Sequence, residues 1–207
     1  MEKVSKIAIF SGETSGDQYA SLLAYQLKKI FADVEIIGIG GPKLQASGIR
    51  IIAEHPLSGT FGFSAVAKTL CKQVKFLHHC IRIIKKENPD LIVFIDNPGF
   101  NLTLAKNLYD FKKIYYIPPK IWAHDYQRIF LIKHFFHSVI VIFPFEKPIY
   151  EKEGIPAAVI GEVIPKNEVR YWIEPDGSRK DIIPPPVDHF WEVFFSALEQ
   201  ASREEGQ

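Results

Sequence analysis

The sequence predicts an α/β chain: a doubly wound parallel sheet with a short C-terminal helical tail. Three observations carry that prediction. Short apolar runs alternate with helix-period patterns from Lys6 to about Gly161. The runs are continuous and rich in β-branched residues, as in strands buried on both faces. And 207 residues, 47% of them hydrophobic, suffice for one such domain plus a fragment. The expected division is residues 1–163 as the domain and 164–207 as a remnant of a second domain or a tail.

Each element has its own signal. Lys6–Phe10 (KIAIF) reads as the first strand, stopped by Ser11-Gly12. A helix from about Asp17 places Ala20, Leu23, Leu27 and Ile30 on one face. Glu35–Ile39 is the second strand, closed by Gly40-Gly41-Pro42, where Gly38–Pro42 reads as a tight turn with close helix packing. A short helical piece leads to the strand Ile49–Ala53, and the longest helix follows, from about Ser64 to Glu87. Pro89 restarts the chain into Leu91–Ile95 (LIVFI), followed by a helix from about Asn101 to Phe111. Strand Ile114–Ile117, a helix near Tyr126–Phe136, strand Ser138–Phe143, a helix at Phe145–Lys152 and strand Ala157–Ile160 complete the series. Beyond Gly161, prolines 165, 175 and 184–186 interrupt a polar stretch before an expected last helix from about Val187 to Arg203.

Composition excludes several classes. With 25 basic and 24 acidic side chains the net charge is +1, so no nucleic-acid partner is expected. Cys71 and Cys80 lie nine apart on one expected helix, on nearly opposite faces. They form neither a bridge nor a metal cage, which fits a reducing compartment. The seven histidines show no ligand spacing, so no metal and no cofactor is expected. Met1 to Lys6 is polar and leads straight into a strand, which predicts no secretory signal. The clean apolar run Ser138–Phe145 is far short of the ~20 residues of a membrane span. The chain is expected to be cytoplasmic, at most peripheral to a membrane.

In a doubly wound sheet, ligands bind beyond the carboxyl ends of the strands, so the chemistry is sought in those loops. The first is Ser11-Gly12-Glu13-Thr14-Ser15-Gly16-Asp17. Its glycines permit close backbone approach, and its N–H groups and hydroxyls suit phosphate or sugar oxygens. The plain alternative is a helix start capped by Thr14 or Ser15, with Asp17 or Gln18 as box partner. Neither a dinucleotide fingerprint nor a P-loop is present, and there is no serine-hydrolase elbow. The second loop is Ile95-Asp96-Asn97-Pro98-Gly99-Phe100-Asn101. Asp96 follows the most apolar strand directly, where desolvation would favour a general base, and Asn101 can cap the next helix. Asp96 is equally readable as a carboxylate bonded to loop N–H groups; Glu13 and Asp17 rank behind it. In the third loop, Pro118–His124, Trp122 could stack on a sugar or merely cover the sheet edge.

The long helix carries Lys68, Lys72, Lys75, His79, Arg82 and Lys86 at spacings of four and three, within roughly ±40° of one another. Val66, Leu70, Val74, Leu77, Ile81 and Ile84 form the opposite, sheet-facing stripe. A basic ridge with almost no acids until Glu87 is either a solvated face or a contact for anionic lipid or a phosphorylated substrate.

Taken together, the segments KIAIFSGETSGD (Lys6–Asp17), GIGGPKL (Gly38–Leu44), IDNPGFN (Ile95–Asn101), Trp122-Ala123 and FPFEK (Phe143–Lys147) resemble the lipid-A-disaccharide synthase family, in matching order and spacing. The resemblance runs from about Lys6 to Gly161. It implies the Rossmann-like, acceptor-side half of a GT-B glycosyltransferase. It implies transfer of diacylglucosamine from UDP-2,3-diacylglucosamine to 2,3-diacylglucosamine 1-phosphate (lipid X), at the cytoplasmic face of the inner membrane. Asp96 matches the family's essential aspartate, whose implied role is deprotonating the acceptor hydroxyl. Gly12, Glu13, Thr14, Ser15, Gly16, Asp17, Asn97, Trp122 and Arg128 are the implied substrate contacts. Lys68, Lys72, Lys75, Arg82 and Lys86 would face the membrane.

The sequence also departs from that family. A proline-x-valine-tryptophan-alanine-tryptophan-arginine segment becomes Pro119–Asp125, losing a tryptophan and an arginine. A glutamate near Gly62 gives way to Ala65, and a glycine-histidine-proline junction becomes Gly161-Glu162-Val163. Asp176–Lys180 resembles the loop that opens the donor domain, so Arg179 would match its phosphate-contacting arginine. The rest of the donor domain is not found, and a separate donor-domain subunit or a homodimer would be needed to complete the enzyme. The alternative is a non-catalytic, membrane-associated binding module for lipid or sugar phosphate. A nucleotide-binding regulator ranks last.

Overall fold

The computed structural model describes residues 4–54, 63–160, 171–173 and 179–181, with side chains over 4–54 and 72–160. The chain divides into two units, Met1–Glu162 and Val163–Gln207. The first holds a seven-stranded, all-parallel sheet. Its strands are β1 (Lys6–Ser11), β2 (Glu35–Gly40), β3 (Arg50–Glu54), β4 (Leu91–Ile95), β5 (Lys113–Tyr116), β6 (Ser138–Val141) and β7 (Ala157–Val159), in the order β3-β2-β1-β4-β5-β6-β7. The chain winds outward from β1 to β3, then crosses back through one long helix to β4 beside β1. The order therefore reverses between β1 and β4, with Ile7 opposite Leu91 and Ser11 opposite Ile95.

Apart from polar or charged residues at their ends, such as Lys6, Glu35, Arg50 and Lys113, the strands are continuous apolar runs, yet successive side chains still go to opposite faces. Ala8, Phe10, Ile92 and Phe94 join one core with Cys80, Ile84, Leu104 and Ile132. Ile7, Ile9, Val93 and Ile95 join the other with Ala20, Ala24 and Leu44. The second core is thus closed by α1 (Thr14–Ile30) and α2 (Pro42–Ala46). The first is closed by α3 (Phe63–Glu87), α4 (Pro98–Asn107), α5 (Arg128–Phe135) and α6 (Lys147–Lys152). Continuous hydrophobicity, rather than alternation, is what two covered faces demand.

Several element ends differ from the sequence reading. α4 begins at Pro98, not Asn101, because Asn97 adopts a left-handed conformation (φ 42°, ψ 64°) and Pro98 presets the first helical φ. α5 starts at Arg128 after Asp125 turns the chain at φ 54°. Before α6, Pro144–Glu146 forms a 3-10 turn. On α3, Val74 is 44% exposed, while Cys80 is fully buried among the sheet-facing residues. Burial pushes the Cys80 thiol up to about 12, so this cysteine is an inert core residue.

In the second unit, β8 (Tyr171–Ile173) and β9 (Arg179–Asp181) form an antiparallel pair. The sequence reading had only a polar stretch there, since three-residue strands carry too little periodicity to register. The expected helix at 187–203 lies outside the described residues.

Candidate active site

The reversal of strand order opens a crevice between the β1 and β4 ends, and the first two loops singled out from sequence meet in it. Gly12 is buried, and a Cβ there would lie 2.3 Å from the Asn97 Nδ2. A side chain at position 12 would force the Asn97 side chain to move. Gly16, in the first turn of α1, is buried against Ser11 and the Ile95 carbonyl.

Glu13, not Thr14 or Ser15, is the N-cap residue of α1, and no side chain caps that helix. The hydroxyls of Thr14 and Ser15 belong to exposed residues of the first turn, as does the carboxylate of the exposed Glu13. First-turn N–H groups lack partners within their own helix. An uncapped seventeen-residue helix therefore presents donors and the positive end of its dipole to the crevice.

Asp17 has a different task from the one expected. It is 4% exposed, and its carboxylate accepts the N–H groups of Gly41 (2.7 Å), Lys43 (2.8 Å) and Leu44 (3.3 Å). It caps α2 and fastens α1 to it, so its oxygens face protein and not the crevice.

Asp96 stands at the end of β4 with φ 51°, followed by Asn97 at 42°. Two consecutive non-glycine residues in the left-handed region cost about 1–3 kcal/mol each, and the surroundings hold them there. The Asp96 carbonyl accepts the Tyr115 hydroxyl (2.9 Å) and the Asn101 amide (2.6 Å), which also donates to the Ile95 carbonyl (3.2 Å). Asn101 is thus not the helix cap expected of it; fully buried, it fastens the turn from beneath, with its own Oδ1 unpaired. The Asp96 side chain accepts no hydrogen bond among the described residues. The residue is half-buried. Burial first, then the nearby Asp96 charge, push the Tyr115 phenol well above its ordinary range, which keeps its hydroxyl a donor. Tyr115 and the back-bonding of Asn101 escaped the sequence reading; Tyr115 looks like any strand aromatic.

Arg128, which also lies close enough to act on the Tyr115 phenol, is bound to Asp125 through Nε at 2.5 Å and is about one-third exposed. Trp122 is 45% exposed, and its indole N–H bonds Glu146 Oε1 (2.9 Å). Lys72, Lys75, Arg82 and Lys86 are exposed on α3, where a guanidinium nitrogen of Arg82 lies 3.4 Å from His79 Nδ1. The Lys68 side chain lies outside the described residues. Arg179 pairs with Ile173 across β8–β9, within the second unit. Among the described residues no cluster of His, Cys, Asp or Glu could hold a metal ion, and no helix is long and apolar enough to cross a membrane.

A family model described as lipid-A-disaccharide synthetase matches residues 7–184. Lipid-A-disaccharide synthase 1 of Legionella pneumophila (strain Lens) is 39% identical over 169 residues, covering 80% of this chain and 44% of that protein. Lipid-A-disaccharide synthase of Coxiella burnetii (strain Dugway 5J108-111) is 34% identical over 161 residues, covering 75% and 42%. The chain spans less than half the length of these curated relatives. Among solved structures, the Methanocaldococcus jannaschii UDP-GlcNAc 2-epimerase, in complex with UDP-GlcNAc and UDP, superposes with a TM-score of 0.54 at 17% identity, over 75% of this chain and 46% of that one. The Neisseria meningitidis UDP-GlcNAc 2-epimerase, bound to UDP-GlcNAc, gives 0.52 at 9%, over 76% and 46%. These two likenesses are of fold, over less than half of each of those chains.

Proposed function

We propose, since the chain belongs to the lipid-A-disaccharide synthetase family, that it is the acceptor-side half of a hexosyltransferase of lipid A biosynthesis. In this reading a diacylglucosamine passes from UDP-2,3-diacylglucosamine to 2,3-diacylglucosamine 1-phosphate. The Asp96 carboxylate takes the proton of the acceptor hydroxyl as that oxygen attacks the anomeric carbon. The bond from that carbon to the UDP oxygen breaks, and UDP leaves with the electron pair. The N–H groups from Gly12 to Gly16 and the open end of α1 meet substrate oxygens. In this reading Asn97, Arg128 and Trp122 also contact the substrates. Arg179, in the second unit, contacts the phosphate of the donor.

The observation that supports this most directly is the Asp96 turn. A carboxylate with no hydrogen bond among the described residues stands at the crevice while its backbone is strained and clamped twice from below. Strain of this kind persists where a side chain must be aimed. Radiolabelled transfer from UDP-diacylglucosamine to lipid X, with this chain alone and with a relative's donor-side half added, tests it. Asp96→Ala should lower turnover by about 10²–10⁴-fold with an unchanged thermal midpoint. Wild-type turnover in that variant would sink the reading. Retained acceptor binding without any transfer would leave only the binding module.

The exposed ridge of Lys72, Lys75, Arg82 and Lys86 fits an anionic bilayer at the cytoplasmic face, at about 1 kcal/mol per basic residue. Changing all four to serine should abolish sedimentation with anionic vesicles and leave neutral-vesicle behaviour unchanged.

A further inference from the structure

Beyond β5 and β6 three aromatic rings make a wall whose purpose the reading above leaves open. Trp122 is 45% exposed and Phe145 51%. They meet edge to face with centroids 5.1 Å apart, and Phe145 stacks on Phe143 at 5.5 Å and 11°. Rings of this size ordinarily bury most of their surface, so something holds this pair half out of the protein.

Glu146 holds it. The residue is 4% exposed, and each carboxylate oxygen accepts one N–H: Oε1 from the Trp122 indole (2.9 Å), Oε2 from the Phe143 backbone (3.1 Å). Tyr150, also buried, donates its hydroxyl to the Pro119 carbonyl (2.8 Å). The loop carrying Trp122 is therefore tied twice to the 143–150 segment. Trp122 and Phe145 end up fixed relative to each other, with ring area facing outward.

We propose that Glu146 is a positioning residue that sets Trp122, Phe143 and Phe145 as the wall along which an acyl chain of the acceptor lies; this rests on the hexosyltransferase reading. The chemistry of the wall selects hydrocarbon over a sugar face. Of the three rings only the indole owns a hydrogen-bond donor, and that donor is spent on Glu146. Both Glu146 oxygens are occupied and buried. A stacked sugar needs polar groups at its rim, whereas an acyl chain needs only apolar area. Position agrees, because β5 and β6 are the next two strands after β4, each ~4.8 Å further across the sheet. The wall stands on the same carboxyl edge as Asp96.

The test titrates glucosamine 1-phosphate acceptors bearing two acyl chains of increasing length, kept below their micelle concentration, into the protein by calorimetry. Wild type and Asp96→Ala should both bind more tightly as the chains lengthen. Glu146→Gln, and Phe145→Ala at an exposed position where folding is not at stake, should bind the longest acceptor about tenfold more weakly and the shortest almost normally. In the transfer assay the same variants should raise KM for the long acceptor and leave kcat alone. Affinity independent of chain length in the wild type overturns the proposal. So do variants that keep the wild-type slope, or that weaken every chain length equally, which would mean sugar stacking. Absent transfer with the chain-length dependence intact would strike the enzyme reading alone.

Discussion

The two ends of the sheet are built on opposite principles. At the amino end a cluster of charges is paired. Lys6 bonds Glu35 (3.1 Å) and Glu87 (3.3 Å), and Arg50 bonds Glu35 (2.6 Å) and forks onto both Glu87 oxygens (2.8 and 2.7 Å). Asp90 accepts three hydrogen bonds from Ser5 and Lys6. A left-handed non-glycine residue there, Asn88, follows the end of α3, where asparagine commonly sits. At the carboxyl end Asp96, Asn97, Ile117 and Asp125 all have positive φ, α1 starts uncapped, and the Asp96 carboxylate lacks a described partner. For a β-branched residue such as Ile117 this is a true outlier. The satisfied end stabilises the sheet; the strained end keeps groups unspent, as a site must.

That contrast can be broken most sharply at Asn101. Asn101→Ala removes both amide bonds beneath the Asp96 turn from a fully buried position. Stability should fall by about 1–3 kcal/mol in denaturant melts. Transfer should fall about hundredfold, since a misplacement near 1 Å is enough for that. If transfer survives, the turn does not aim the base. Tyr115→Phe deletes only the 2.9 Å bond to the Asp96 carbonyl. It should cost about 1 kcal/mol and lower kcat while leaving KM unchanged.

The smallest effect belongs to the amino end. The Arg50 guanidinium, more than Lys6, holds the Glu87 carboxyl down at about 2 from its ordinary 4.5. A depressed carboxylate contributes its full stability above the unfolded value and loses it as pH falls toward the folded one. Glu87→Gln should therefore flatten the stability curve between about pH 4.5 and 2, with only a slight loss at neutral pH and no change in transfer rate. A rate loss comparable to that of Tyr115→Phe would end the separation of the two ends.

Much of this was legible in the residues. Continuous apolar strands and helix-period intervals announced the two-faced sheet, and the Gly12 and Asp96 loops were picked out because both follow strands. The capping role of Asp17 is not legible locally, because a carboxylate in a glycine-flanked turn looks the same whether it meets a ligand or caps a helix. Its partners, Gly41 to Leu44, lie more than twenty residues on. Helical spacing alone faces Val74 inward, yet it is 44% exposed, because spacing does not record what packs against each position.

The sequence alone determined which elements of the parallel sheet form, and that acidic, amide and glycine groups sit at strand ends, because periodicity and turn chemistry act over a few residues. Only the tertiary structure decided that β4 lies beside β1, and with it that Gly12 touches Asn97. It likewise decided that Tyr115 and Asn101 hold Asp96 from below, and that Glu146 grips Trp122. Such pairings depend on strand order and on side chains far apart in the chain, which no local pattern encodes.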